Sequence, residues 1–290
     1  MKYRLYLIIF FLVQQSAFAQ ETILWKVSDT TNNTESYILG TFHQFGNSFV
    51  DSIPEIKKAL LNSELAVFES IDKVDDTRQM IERRQSSLEI EKKLKKKELE
   101  KLKEITRNWR VDLHKLKPIE IRWKLQQQFQ RTICKTTKPT DTFDHLDNYL
   151  IHMAEENNVE TYGLETDSLQ LTLIQKEYKD TDWKKEKKHI RYWIRQMTSD
   201  KPDLDACDRA NRYRVFDIEY EFEKECESDV LLFQRNNKWM ETIPDLLREK
   251  NIFIAVGYFH LKRKCGILEQ LRARGFILEE VELKRAVSTM

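Results

Sequence analysis

Glycine and proline are scarce in this sequence, at 6 and 5 of its 290 residues. That scarcity excludes collagen-like and low-complexity chains and leaves no stretch that reads as a linker. Charge of one sign is also missing: 49 Lys+Arg stand against 48 Asp+Glu, a formal charge of +1. So balanced a chain has no whole-molecule attraction for nucleic acid, and no nucleic-acid partner is expected. The four cysteines include no C-x-x-C pair, which argues against a zinc ribbon or a thioredoxin-like redox site. H-E-x-x-H, P-loop, G-x-S-x-G and G-x-G-x-x-G patterns are absent too, which removes the plainest zincin, nucleotide-hydrolase and dinucleotide-binding readings. What remains is 40% hydrophobic and 33% charged residues, a globular composition pointing to many helices with solvated faces.

The most apolar run lies at the amino terminus. Lys2 and Arg4 flank the apolar residues 5–13, and Ala17-Phe18-Ala19 supplies the small-x-small pattern of a secretory cleavage site. The run is about nine residues, short of the ~20 that span a bilayer. Residues 1–19 are therefore expected to be a signal peptide. Residues 20–290 are then a single exported domain, periplasmic or secreted, with no stable membrane insertion after cleavage. No cysteine follows the run, so nothing indicates a lipoprotein anchor. Cys134, Cys207, Cys226 and Cys265 all lie in the exported part, where oxidising surroundings permit disulfides and three pairings are open.

Along the mature chain, residues 23–27 and 36–39 read as strands around a polar turn at 29–34. Pro54 opens a helix whose Ile56, Ala59 and Leu60 keep helical spacing. Residues 65–68 then form a short buried strand ending at Glu69, which completes a β-α-β unit of parallel strands. Residues 76–108 are charged and helical. Within them 89–104 hold seven Lys and five Glu around a thin stripe of Leu94, Leu99, Leu102 and Ile105. The mixed signs favour a solvated helix over a nucleic-acid or membrane-binding arm. Helices at 113–129 and 143–156, a strand at 159–164 and helices on to 239 follow. A strand at 252–256, a helix at 267–274 closed by Gly275, and a last strand at 276–283 end the chain. The expected fold class is α/β, a central sheet built from amino- and carboxy-terminal β-α-β units. A large, mainly helical insertion, about 76–158 and 166–245, lies between them.

Two strand ends carry the same short pattern. Residues 37–43 and 254–260 both run an apolar strand into Gly-x-x-His, at Gly40/His43 and Gly257/His260. A glycine there lets the backbone bend or another group come close, and the carboxyl edge of a parallel sheet is where ligands bind. If the two strands are neighbours, His43 and His260 face one cleft. Glu69 and Glu165 end or follow strands in comparable positions. Imidazoles with carboxylates suit a divalent metal and supply a general base for water. Other histidines carry less. His145 and His152, with Asp144 and Asp147 nearby, read as one face of a surface helix rather than a metal site, and His114 and His189 receive no role.

These residues resemble the TraB/GumN family, which includes the TIKI proteins. The likeness runs through residues 24–27, 37–43 and 53–55 to Glu69. It continues in 147–150, Ala154 and 163–166, then in Arg235-Asn236 with Trp239, 255–261, Leu271 and Gly275-Phe276. The resemblance implies an α/β fold related to erythromycin-esterase and ChaN-like proteins, with paired Gly-x-x-His motifs in the active site. It also implies metal-dependent proteolysis of the TIKI kind. Carried over residue by residue, it makes His43, Glu69, Glu165, Arg235 and His260 the candidate catalytic set, with His43, Glu69 and His260 as metal ligands. One departure stands out: where many members have a glycine two residues after the second His-Leu, this chain has Arg263, between Lys262 and Lys264. Cys265 then adds a polarizable group, so the loop is bulkier and more cationic, which is consistent with an anionic substrate or with a site that no longer does chemistry.

The expected function is an exported hydrolase, a divalent-metal-dependent peptidase acting on a peptide or small-molecule substrate. Zn, Mn or Co would be held by His43, Glu69 and His260. Glu165 would take a proton from water, and Arg235 would stabilise the developing negative charge or orient a carboxylate. Two alternatives stand beside it: a non-catalytic peptide-binding protein on the same fold, and a metal-free esterase-like hydrolase with His43 as general base.

Overall fold

The computed structural model describes residues 22–72, 74–179 and 182–284. The segment expected to be a signal peptide lies outside the described residues. Strands β1 (Leu24–Asp29) and β2 (Thr34–Thr41) form an antiparallel hairpin around the polar turn, with Leu24 opposite Leu39 and Asp29 opposite Thr34. With β3 (Leu65–Phe68), β4 (Glu160–Gly163), β5 (Ile252–Gly257) and β6 (Ile277–Glu280) they make one six-stranded mixed sheet, ordered β4-β3-β5-β2-β1-β6.

The first β-α-β unit is parallel as its pattern requires, but its two strands are not neighbours. β5, from late in the chain, pairs parallel with β2 on one side and with β3 on the other. Burial explains the choice. β5 is Ile-Phe-Ile-Ala-Val-Gly, buried at every position, as a central parallel strand covered on both faces must be. β4 and β6, each partly exposed, take the two edges.

Helices cover the sheet and build the insertion. After β2 come α1 (Asn47–Asp51) and α2 (Pro54–Leu61), the latter started by proline in its first turn. The charged segment is not one helix but three: α3 (Val74–Glu82), α4 (Glu89–Lys93) and α5 (Lys96–Ile105). Ser86 and Ser87 separate α3 from α4, and the Glu98 carboxylate accepts the Lys95 N–H to start α5 afresh. Then follow α6 (Pro118–Thr132), α7 (Leu146–Glu156), α8 (Asp167–Glu177), α9 (Trp183–Met197) and α10 (Asp208–Arg214). α11 (Arg235–Trp239) and α12 (Ile243–Glu249) precede β5, and α13 (Ile267–Arg272) joins β5 to β6.

The thin stripe of the charged segment is not left to solvent. Leu94 and Leu102 pack with Ile81, Leu125, Trp183 and Ile190 in an apolar cluster separate from the one around the sheet, and Trp193 packs against both. Arg122 and the buried Glu186 tie α6 to α9 at 2.7 Å. Two disulfides fix the pairing the sequence leaves open: Cys134–Cys207 and Cys226–Cys265. Cys265 is therefore not a free polarizable group. The cations around it are also matched, since Lys262 and Arg263 both lie against Glu221 and Lys264 pairs with Glu225. Among the described residues, no helix is long and apolar enough to cross a membrane.

Candidate active site

Four adjacent parallel strands deliver four candidate residues in spatial order. Running β4-β3-β5-β2, the carboxyl ends lead into Glu165, Glu69, His260 and His43. The Glu165 N–H donates to the Glu69 carbonyl at 2.9 Å, which carries the ladder one step past the strands. Thr41 of β2 stands opposite Gly257 of β5, so the two Gly-x-x-His turns are offset by one residue. Both glycines are required by close approach. A Cβ on Gly40 would sit 2.9 Å from Tyr258 Cβ, and one on Gly257 would sit 3.1 Å from His43 Nε2 and 3.2 Å from Glu69 Oε1. Gly257 is thus the floor on which imidazole and carboxylate meet.

His43 Nε2 lies 4.0 Å from Glu69 Oε1, and His260 Nε2 lies 3.7 Å from the same oxygen. That oxygen also accepts the Gly257 N–H at 2.7 Å. Arg235 bridges the carboxylates: its Nη2 donates to Glu69 Oε2 at 2.5 Å and to Glu165 Oε1 at 2.7 Å, and its Nε donates to Glu165 Oε2 at 3.2 Å. The Trp239 indole N–H reaches the same Glu165 Oε2, so both oxygens of this carboxylate, 3% exposed, are engaged. The surroundings of Glu165 therefore favour holding Arg235 in place over taking a proton from water. Arg235, placed between two carboxylates, orients them.

A short π-helical turn at Val230–Gln234 runs into α11 and re-aims its first residues. It places Arg235 and, one residue on, the buried Asn236. The Asn236 amide nitrogen donates to the carbonyls of His260 and Cys265, which fixes its oxygen toward His260 Nδ1 at 2.6 Å. An amide oxygen can only accept, so Nδ1 carries the proton and Nε2 presents a lone pair. Arg235 Nη1 donates to that lone pair at 3.2 Å. The Trp239 ring lies under both groups, 4.4 Å from the His260 ring and 4.7 Å from the Arg235 guanidinium.

His43 has its own support. Asp147, in the first turn of α7, meets His43 Nδ1 at 2.6 Å with one oxygen and accepts the Thr41 hydroxyl at 2.9 Å with the other. This corrects the surface-helix expectation for part of that segment. Asp147 is buried, and the His145 ring stacks on His43 at 5.2 Å, whereas Asp144 is exposed beside Arg131 and His152 pairs with Glu156. The ligand atoms of His43, His145 and Asp147 lie within 4.8 Å of one another, a spacing able to hold an ion; His43, Glu69 and His260 do not form so close a group.

The electrostatics separate the two motif histidines. Burial works against charge on His43, but Asp147 and then Glu69 outweigh it and hold its pKa up to about 9. Burial dominates at His260, helped by Arg235 and His43, and brings it down to about 3 despite Glu69. Glu69 stays ionised well below the usual carboxylate range: burial opposes the charge, and His260, Arg235, His43 and the Gly257 N–H favour it. His43 is also the exposed member, at 36% against 4% for His260.

A family model described as TraB/PrgY/gumN matches residues 23–280. The chain belongs to the TraB/PrgY/gumN family. No curated protein and no solved structure matches it. The TraB/PrgY/gumN match therefore supplies membership, and the site stands on its own geometry. All five sequence-derived candidates meet at one sheet edge. Composition and spacing give no role to Asp147, Asn236 or Trp239, although each falls in a block that resembles the family. The available signal is positional: Asn236 follows Arg235 directly, and Trp239 lies one helical turn beyond it.

Proposed function

We propose that this protein is an exported hydrolase whose site holds a divalent cation and acts on a carbonyl-centred bond, as a peptidase does. The observation that carries the proposal is a charge imbalance. Three carboxylates, Glu69, Glu165 and Asp147, surround three imidazoles, His43, His145 and His260, and one guanidinium, Arg235. The field that keeps a proton on His43 equally favours a metal cation. The donor set has the chemistry for such an ion, provided the Arg235 N–H that donates to the His260 Nε2 lone pair gives way. His43 Nε2, His260 Nε2 and Glu69 Oε1 would hold it. The opposite nitrogen of each imidazole is fixed by Asp147 or Asn236, an outer shell that typically orients metal-ligating histidines. The bare Gly257 Cα leaves the space that a Cβ would fill. Bound there, Zn, Mn or Co would supply Lewis-acid polarisation of the substrate carbonyl.

The chain's own residues do the rest. Asn236 sets the His260 tautomer, Asp147 sets the orientation and proton affinity of His43, and Glu165 with Trp239 keeps Arg235 between the carboxylates. Arg235 neutralises part of the buried charge and limits the reorganisation needed as negative charge develops. The two disulfides fit an oxidising compartment, as export requires.

A second reading has an observation in its favour. The 2.6 Å Asp147–His43 contact is a dyad able to move a proton at Nε2 without a metal. Cleavage of a randomised peptide library, before and after dialysis against chelator, decides between the two. Loss of cleavage restored by Zn, Mn or Co supports the metal site. Cleavage that survives exhaustive dialysis supports the dyad. Peptide binding without cleavage under every condition would leave a binding protein and remove both.

A further inference from the structure

Beside His43 opens a cleft of about 180 Å³ with a wall that the proposed chemistry does not use. On one side α6 presents Trp123, Gln126, Gln127 and Gln130, residues spaced so as to share one helical face. The lining also includes Phe259, from the second Gly-x-x-His turn, and Arg209 from α10. Among the described residues no carboxylate lines the cleft, and Arg209 is the only lysine or arginine that does.

Arg209 differs from the other cations nearby. Arg235 is bound between Glu69 and Glu165, Arg212 pairs with Asp217, and Arg214 donates to the carbonyl of Cys134. Among the described residues the Arg209 guanidinium has no carboxylate partner; it lies 5.0 Å over the ring of Phe259. A guanidinium resting on an aromatic face is held in orientation while its edge N–H groups stay free. Those groups form a fork that matches a carboxylate. The glutamine wall offers amide donors and acceptors of the kind that pair with an extended peptide backbone.

We infer that Arg209 is the carboxylate-recognition residue of this cleft, and that the site takes peptides carrying a free carboxylate near the bond presented to His43. The inference rests on the hydrolase reading for the bond broken, but recognition is measurable without turnover. The carboxylate can be the peptide's carboxyl terminus or an acidic side chain, and the test separates the two.

Three randomised, amino-acetylated hexapeptide pools serve as probes: one with a free carboxyl terminus, one amidated, and one amidated with a single Asp. Retention by the full mature chain is measured by ultrafiltration and mass spectrometry, for the wild type, Arg209→Gln and Arg209→Lys. At least one acidic pool should be retained about tenfold or more over the amidated pool, a difference on the order of 1.4 kcal/mol. Which acidic pool it is names the source. Arg209→Gln should erase the preference and Arg209→Lys should keep part of it. Arg209 is exposed, so both variants should fold, and their melting curves check this. Equal retention of the three pools, or a preference unchanged in Arg209→Gln, overturns the inference. Cleavage followed in the same samples keeps the two levels apart. Carboxylate-selective retention without cleavage defeats the hydrolase reading alone, and cleavage indifferent to the carboxylate defeats the inference alone.

Discussion

At the scale of single residues, the site depends on atoms that are missing as much as on those present. Gly257 has no side chain where His43 and Glu69 come together. Gly257→Ala puts a methyl 3.1 Å and 3.2 Å from their reactive atoms and should lower hydrolysis by at least tenfold. Melting temperature and kcat/KM measured together check this; unchanged activity would show that the floor does not need to be bare. The dyad makes a second prediction, for metal-free protein. His43 is raised from 6.5 to about 9, so its contribution to stability is complete below pH 6.5 and is lost as pH rises through 9. His260 and His145 are lowered from 6.5 to about 3 and about 4, so their contributions are complete above pH 6.5 and are lost as pH falls. Melting temperature should therefore decline on both sides of a maximum near pH 6.5. Asp147→Asn should flatten the alkaline limb, and an alkaline limb that stays the same would show that Asp147 does not hold the proton. Much of this scale was legible in sequence, because a histidine three residues after a strand-ending glycine has few places to go. Asp147 was not. The apolar spacing of α7 describes which face packs, and only the fold shows that its first turn abuts the end of β2.

At the scale of elements, the connections after β5 hold the second histidine in register. Asn236 reaches both the His260 and Cys265 carbonyls, and Cys265 is tied to Cys226, so a disulfide braces the loop that the amide reads. Asn236→Leu removes the acceptor at Nδ1 and should weaken metal binding about 10- to 100-fold, the usual effect of losing an outer-shell partner. Competition with a chromogenic chelator measures it, and an unchanged affinity would show that the tautomer is set elsewhere. Arg263 gives physical meaning to the departure seen in the sequence. Its φ of +68° lies in the left-handed region, where glycine is at ease and other residues are strained. Arg263→Gly relieves that strain and gives up a partly exposed ion pair with Glu221, so it should be stabilising by about 1 kcal/mol or less. Chemical denaturation reads the change; clear destabilisation would mean that the ion pair outweighs the strain. Most strands were readable from their apolar runs. Their neighbours were not, since the placement of β5 between β2 and β3 depends on contacts far apart in sequence.

At the scale of the whole molecule, the insertion supplies a wall, a second apolar cluster and the side chains of Asp147, Arg235 and Asn236, while the sheet edge supplies His43, Glu69, Glu165 and His260. The charged segment resembles a solvated rod in sequence because one thin stripe suffices to anchor it, and no local pattern names what the stripe meets. Leu102 is wholly buried there, and Leu102→Ala should cost about 2–5 kcal/mol. β4, β3, β5 and β2 bring Glu165, Glu69, His260 and His43 together at one edge, the proposed hydrolytic site. The most direct measurement is cleavage of the randomised peptide library by wild type, His43→Ala and His260→Ala, each shown to be folded. The wild type should cleave, and each alanine variant should lose at least about 10²-fold, the lower bound for removing a positioned catalytic group. Equal cleavage by all three proteins would contradict that assignment.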